Sequence, residues 1–375
     1  MSKLKLAVLC DLLEERWFSM DLLGDMLLGE AERLGSVIAT RVRPTLPAPL
    51  AGWATAPRDG ALARFRYRAA IGFGRYLAYP ARTLAERTRH DFFHVTDHSY
   101  AHLAFELPAE RCGVYCHDLD AYRPLLETPR GKLAYRALAH GLLAGLKRAR
   151  VVFHSSLTVR DQILEHRLVP AERLVHAPYG VAAEFQPEPR AEDAALASLP
   201  PFIVHVGSLI PRKNPDFLRR VLIAVCRARP DLHAFQIGGT FSDADRAELA
   251  AAGVSERVHQ IPHLFRPELS AYLRSARAVI LPSLAEGFGL PVVEALACGA
   301  PVCVSDIPVL KEVGGAGVLV RPTSDVNVWR AAALELAGGG GPTRAVRLQS
   351  VERFTWAHHA RVIVETYTRL AAERS

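Results

Sequence analysis

The feature that most constrains this 375-residue chain is an alternation of short apolar runs with helical stretches, played through twice. The first series contains KLKLAVLC (3–10), SVIATRV (36–42), DFFHVTD (91–97), CGVYCHD (112–118), RVVFHSS (150–156) and LVHAPYG (174–180). The second contains FIVHVGS (202–208), HAFQIGG (233–239), VHQIPH (258–263), RAVILPS (277–283), PVCVSD (301–306) and GVLV (317–320). Several of these runs are apolar almost throughout, as strands covered by helices on both faces are. Between them, residues 214–229 put Phe217, Leu218, Val221, Leu222 and Val225 on one helical face, and 131–149 and 158–168 also have helical periodicity. Strand alternating with helix predicts a parallel, doubly wound sheet, and two series predict two sheets, which the length accommodates as two domains. The Pro- and Ala-rich stretch over 182–201 carries no strand pattern and is the expected boundary. A last helix is expected over 356–373. The Gly-rich run Gly338–Gly341 reads as a surface loop; no Lys-Ser or Lys-Thr follows it, so it is no P-loop.

Half the residues are hydrophobic and 23% are charged, the balance of a globular chain. No run of 18 apolar residues suggests a membrane span, and the first apolar run is cut by Asp11, so a cytoplasmic protein is expected. Six scattered cysteines form no CxxC pair and read as buried reduced thiols. The net charge of +7 draws on segment 58–90, where eight arginines face only Asp59 and Glu86, with Phe65, Tyr67, Phe73, Tyr76 and Tyr79 between them. The plain reading of this segment is a solvated helical face with core aromatics. The sharper one is a peripheral contact with an anionic membrane. Net charge alone carries no case for nucleic-acid binding.

Three constellations carry chemistry. Glu286-Gly-Phe-Gly-Leu-Pro-Val-Val-Glu294 follows the run RAVILPS, with Pro291 suited to a first helical turn and Gly299 to a helix end. Glu286 then lies on a strand-to-helix loop and Glu294 about one turn inside the helix. Gly287 and Gly289 let the backbone approach a ligand, and the amides around Gly289 and Leu290 make an anion site. The two acids can accept hydrogen bonds from the hydroxyls of a sugar and a ribose. The second constellation, Val206-Gly-Ser-Leu-Ile-Pro-Arg212-Lys213-Asn214, places two cations after another strand, suited to a diphosphate. The third is His117-Asp118 at a strand end in the first half. Asp118-Leu-Asp120 matches the D-x-D pattern of metal-dependent transferases, but it lies in the wrong half for a nucleotide, and Asp118 reads as a turn cap.

Together, and in this order, these elements resemble the retaining glycosyltransferases of family four, of the GT-B fold. Ala177-Pro-Tyr-Gly-Val181 resembles the family's segment before the domain link, and Phe354-Thr-Trp356 the start of its final helix. The resemblance implies an α/β chain with two facing Rossmann-like, doubly wound parallel-sheet domains and an interdomain cleft. The N-terminal domain (1–185) would lie on the acceptor side and the C-terminal domain (200–355) on the sugar-nucleotide side, with the helix of 356–375 crossing back. It further implies that Arg212 and Lys213 hold the donor diphosphate together with Gly289 and Leu290. Glu286, Phe288 and Gly289 would lie by the donor sugar, and Glu294 would bind the ribose. His117 would approach the sugar from the first domain, so that His117 and Glu286 are the catalytic pair. The chain departs from the family after the first strand, where many members carry Gly-Gly and this one has Asp11-Leu-Leu-Glu-Glu-Arg-Trp17 through Asp21.

The activity so implied is transfer of a hexosyl group from a UDP- or GDP-sugar to the hydroxyl of a glycan or lipid-linked acceptor, in cell-surface glycan assembly. Neither metal nor cofactor is expected beyond the nucleoside diphosphate sugar itself. A sugar-nucleotide epimerase of the same architecture and a non-catalytic sugar-nucleotide-binding subunit are the alternatives. A nicotinamide oxidoreductase is disfavoured by the lack of G-x-G-x-x-G after the first strand.

Overall fold

A computed structural model describes residues 3–57, 60–126 and 133–374. Arg58 and Asp59 of the arginine-rich segment, and residues 131–132 of an expected helix, lie outside the described residues.

The chain divides into two compact units, one running to Tyr179 and resuming at Trp356, the other spanning Gly180–Thr355. Each contains a six-stranded parallel sheet. The first unit holds β1 (Leu4–Leu9), β2 (Val37–Val42), β3 (Phe92–Val95), β4 (Cys112–Cys116), β5 (Val151–His154) and β6 (Leu174–His176), in the spatial order β2-β1-β3-β4-β5-β6. The second holds β7 (Phe202–Val206), β8 (His233–Ile237), β9 (Val258–Ile261), β10 (Ala278–Leu281), β11 (Val302–Ser305) and β12 (Val318–Arg321), in the order β12-β11-β10-β7-β8-β9. Every apolar run of the sequence thus becomes a strand. The central strands β4, β5, β7, β10 and β11 are buried along their whole length, which is why their sequences do not alternate.

Helices cover both faces. In the second unit, Pro215 opens the helix Pro215–Ala228, whose Phe217, Leu218, Val221, Leu222 and Val225 are buried against the sheet. Phe217 meets the edge of Trp329 at 5.9 Å, and the buried indole donates to the Pro322 carbonyl at 2.8 Å. In the first unit, the final helix Trp356–Ala372 packs Tyr367 between Phe92, His94 and Phe153. Gly113 on β4 makes the room: a Cβ there would lie 2.1 Å from the Tyr367 hydroxyl. The long helix over 60–86 contains a wide turn at Gly74–Ala78, beyond which the buried Tyr79 donates its hydroxyl to the carbonyls of Cys10 and Val42, at 2.7 and 2.8 Å.

The units part at Gly180, a little before the expected boundary. The Pro- and Ala-rich stretch is no free linker. Arg274, its side chain only 5% exposed, holds Asp193 at 2.5 Å and reaches the Gln186 carbonyl at 3.4 Å, strapping the stretch to the second unit. Such a strap is fixed by single polar contacts and so leaves no periodic trace. All six cysteines are free and buried. No helix among the described residues is long and apolar enough to cross a membrane.

Candidate functional site

In the second unit the strand order reverses at β7. The chain moves outward through β8 and β9, then returns to lay β10 on the other side. Loops leaving the carboxyl ends of neighbouring strands diverge at such a point, where open α/β sheets take up ligands. Both constellations of this half leave the sheet there, Gly207–Asn214 from β7 and Ser283–Gly289 from β10.

The two loops are joined. Leu284 donates its N–H to the Arg212 carbonyl at 2.7 Å. Arg212 Nη1 donates back to the Ala285 carbonyl at 3.3 Å and to Glu286 Oε2 at 3.1 Å. Lys213 Nζ meets Glu286 Oε1 at 2.5 Å, and the Ser283 hydroxyl donates to the same oxygen at 2.7 Å. The Glu286 side chain is 6% exposed and Lys213 10%, whereas Arg212 keeps 33% of its surface. Buried charges must be paired, and here Glu286 is set against both cations. Pro211–Lys213 form a short 3-10 turn, closed by Asn214 at φ +58°, a left-handed conformation that Asn tolerates.

Gly289 stands at the mouth of the helix Leu290–Ala297 with φ +96°. A Cβ there would come within 2.7 Å of Leu310 Cδ2, so glycine is required both by conformation and by space. At this helix start Pro291 has no N–H and Val292 donates its own to the Gly289 carbonyl at 2.9 Å, so the amides that can meet an anion are those of Gly289 and Leu290. Phe288 is buried and packs edge-on against Phe354 at 5.3 Å. Its ring therefore serves the core. Glu294 lies one turn into the helix, half-buried. Its surroundings desolvate the carboxyl and raise it to about 7, against the pull of the Arg266 cation and with a push from Glu184. Arg266 and Glu184 themselves pair at 3.5 Å.

Three supporting residues were not singled out in the sequence. Ser283 fixes the Glu286 carboxylate. Ser305, at the end of β11, donates its hydroxyl to the Ser283 carbonyl. His205, fully buried on β7, shares a 2.6 Å hydrogen bond between Nδ1 and Gln236 Oε1, and Gln236 donates its amide to the Gly207 carbonyl at 2.8 Å. Burial lowers the His205 pKa to about 4, so the ring is neutral and holds the turn that begins the Arg212–Lys213 loop. A polar pair facing each other on adjacent strands, His205 and Gln236, is the only trace this leaves in sequence.

His117 belongs to the first unit, just beyond β4. Its Nε2 lies 2.7 Å from the Thr96 carbonyl, which can only accept, so Nε2 carries the proton. Nδ1 then accepts from the Tyr179 hydroxyl. Burial holds the ring at about 4, although Asp97 pulls the other way. A neutral ring with both nitrogens occupied positions its neighbours; it is not free to take a proton.

The first unit has its own reversal between β1 and β3. There the buried Asp11, from the segment that departs from the family, meets Asp97. Burial and the Asp97 charge hold Asp11 well above the carboxylate range. Burial also opposes ionisation of Asp97, but His98, His117 and the Ser99 N–H, 2.6 Å away, bring it below its ordinary value. Asp97, His98 and His117 offer ligand atoms within 4.8 Å of one another, which is close enough for a metal. A cation there would have to displace a hydrogen bond from His117. Asp118 accepts from the Asp120 N–H at 3.1 Å, the local cap expected of it. The rest of the departing segment is anchored through Glu15, which accepts from the Tyr100 hydroxyl at 2.6 Å and pairs with Arg75 at 3.0 Å.

Two six-stranded parallel sheets, each doubly wound and covered by helices, make the GT-B fold. Sucrose-phosphate synthase from Thermosynechococcus elongatus superposes with a TM-score of 0.70 at 18% identity, over 99% of this chain and 100% of that one. Anabaena HepE, solved in complex with UDP and glucose, does so with a TM-score of 0.64 at 15% identity, over 99% of both chains. Residues 200–338, which contain the joined loops, match the family Glycosyl transferases group 1. D-inositol 3-phosphate glycosyltransferases of Thermobispora bispora and Nocardia farcinica are 30% and 33% identical, over 59% and 55% of this chain and 56% and 50% of their own lengths. The chain thus spans about half the length of these curated relatives.

Proposed function

We propose that the second unit binds a nucleoside diphosphate sugar and that the chain transfers its hexosyl group, with retention, to an acceptor hydroxyl. The carrying observation is the meeting of Arg212, Lys213 and Glu286 at the β7–β10 reversal, beside a helix mouth. A diphosphate is an anion that two adjacent cations beside a helix mouth are suited to hold. With Lys213 and Ser283 on one oxygen and Arg212 on the other, Glu286 is held in one orientation, and its remaining lone pairs accept from sugar hydroxyls. Glu294 takes the ribose hydroxyls, and the amides at Gly289 and Leu290 take phosphate oxygens.

The bond from the anomeric carbon to the diphosphate breaks with oxocarbenium character, and charge grows on the leaving phosphate. Arg212, Lys213 and the helix amides stabilise that charge, a task for which no metal is needed. The leaving phosphate accepts the proton of the acceptor hydroxyl, and His117 acts by position. UDP or GDP is the expected carrier, and a glycan or lipid-linked hydroxyl the acceptor, in cell-surface glycan assembly. A second reading of the acceptor, a phosphorylated cyclic polyol, is favoured by the names of the relatives. The test is a thermal-shift screen with UDP- and GDP-sugars, followed by product analysis with each acceptor class. A true donor at about 100 times its Kd stabilises the chain by roughly 2.7 kcal/mol. Absence of a shift with every sugar nucleotide removes the proposal; conversion of the donor without acceptor turns it into an epimerase.

A further inference from the structure

The helix over 60–86 buries one side, through Ala70, Ile71, Gly74, Tyr79 and Thr83, and leaves the other bare. On the bare side Leu62, Phe65, Leu77 and Leu84 are 60%, 67%, 62% and 52% exposed. Single exposed apolar side chains are ordinary, but four large ones on one helix are not. Its charges are equally one-sided. Arg64, Arg66, Arg68, Arg82 and Arg87 are exposed, and the helix's one acid among the described residues, Glu86, is buried with Arg82 at 2.9 Å. Arg66 lies over the exposed ring of Trp53 at 5.7 Å, and the two line a shallow depression with Ala56, Leu62 and Ala63.

An apolar stripe bordered, among the described residues of this helix, by exposed arginines fits a surface that is apolar inside and anionic outside. Arginines on flexible stems can keep their guanidinium groups at phosphate depth while the stripe sinks below them. An acidic protein would satisfy the arginines but leave the leucines and Phe65 in water, and a neutral partner would do the reverse.

We propose that this face docks onto an anionic lipid bilayer, with Leu62, Phe65 and Leu77 entering the acyl boundary and Arg64, Arg66 and Arg68 holding headgroup phosphates. Docking does not depend on which sugar is transferred or on whether one is. The experiment is flotation of the full chain with phosphatidylcholine vesicles, with and without phosphatidylglycerol. Binding is expected only to the anionic vesicles and weakens as salt rises. Each arginine at the surface strengthens partitioning roughly fivefold, so Arg64→Gln, Arg66→Gln and Arg68→Gln together weaken it on the order of 100-fold. The pair Phe65→Ser and Leu77→Ser, exposed and therefore neutral to folding, weakens binding even at low salt. Quenching of Trp53 by brominated lipid, lost in Trp53→Phe, places the face at the membrane. No binding to anionic vesicles at low salt overturns the proposal, as does equal binding to neutral ones. So does binding indifferent to the Phe65 and Leu77 changes, which would mark charge attraction open to any polyanion. Self-association abolished by those same changes would mark a protein interface and overturn it too.

Discussion

Lys213→Ala is the sharpest test of the joined loops. In the free protein Lys213 is one of three groups on Glu286, with Arg212 and the Ser283 hydroxyl. Breaking a buried ion pair outright costs about 3–5 kcal/mol because a bare charge is left behind. Here Arg212 and Ser283 remain, so the stability loss should be smaller, about 1–2 kcal/mol, the scale of one charge-assisted hydrogen bond. Losing a preorganised group that meets developing charge costs about 10²–10³ in turnover, or about 2.7–4 kcal/mol. The catalytic loss should therefore exceed the loss of stability. Release of nucleoside diphosphate gives kcat, and a denaturant midpoint on the same sample gives stability. Glu286→Gln supplies the control: because both changes remove the same Lys213–Glu286 pair, together they should cost less stability than the sum of the two alone, yet recover no turnover. Turnover of Lys213→Ala near the unmodified level refutes the phosphate assignment. Equal losses in both measurements would reduce Lys213 to a structural ion.

Further outcomes follow from other parts of the chain. Gly289→Ala must hold a left-handed conformation costing about 1–2 kcal/mol and must also push Leu310 aside, so donor affinity measured by calorimetry should fall with the melting temperature. Glu294, held at about 7 where an unfolded chain has 4.5, is protonated in the native state over that window. There the native state binds the extra proton, so stability falls as pH rises from 4.5 to 7 and is level above it, while affinity for a ribose that needs the carboxylate rises; Glu294→Gln should flatten both curves. His94, held at about 3, and His117, His154, His205 and His359, each at about 4, run the opposite way from an ordinary 6.5. The unfolded chain takes up their protons first, so stability is lost as pH falls below 6.5, by up to about 1.4 kcal/mol per pH unit for each ring. Denaturant midpoints across that range should show this acid lability outweighing the contribution of Glu294. His117→Ala should lower turnover without changing the shape of its pH profile, because a neutral ring with both nitrogens bonded contributes no titrating limb.

The parallel sheets were legible because buried strands are written as apolar runs, and a run such as AVIL in β10 has few other readings. The joined loops were legible in part, since strand-end cations and acids with glycines between them have few structural uses. What sequence could not give was the pairing across 73 positions that sets Lys213 on Glu286. Nor could it give the direction of Phe288, whose ring turns into the core against Phe354. An aromatic between two glycines looks like a ligand contact, and only the packing around it shows otherwise. Segment 58–90 illustrates the opposite limit. Its composition suited both a solvated face and a lipid patch, and composition does not say which of its side chains are exposed. Tyr79 went fully into the core while Phe65 stayed 67% bare, a division between two aromatics that a hydrophobicity pattern broken by the wide turn at Gly74 cannot express. The segment after β1 was opaque for a related reason. Asp11 reads as a polar loop residue, yet it is buried against a second carboxyl. Burial of one acid is tolerable only when the other keeps the charge, and that division of labour between Asp11 and Asp97 is set by His98, His117 and the Ser99 amide, groups far from β1 in sequence.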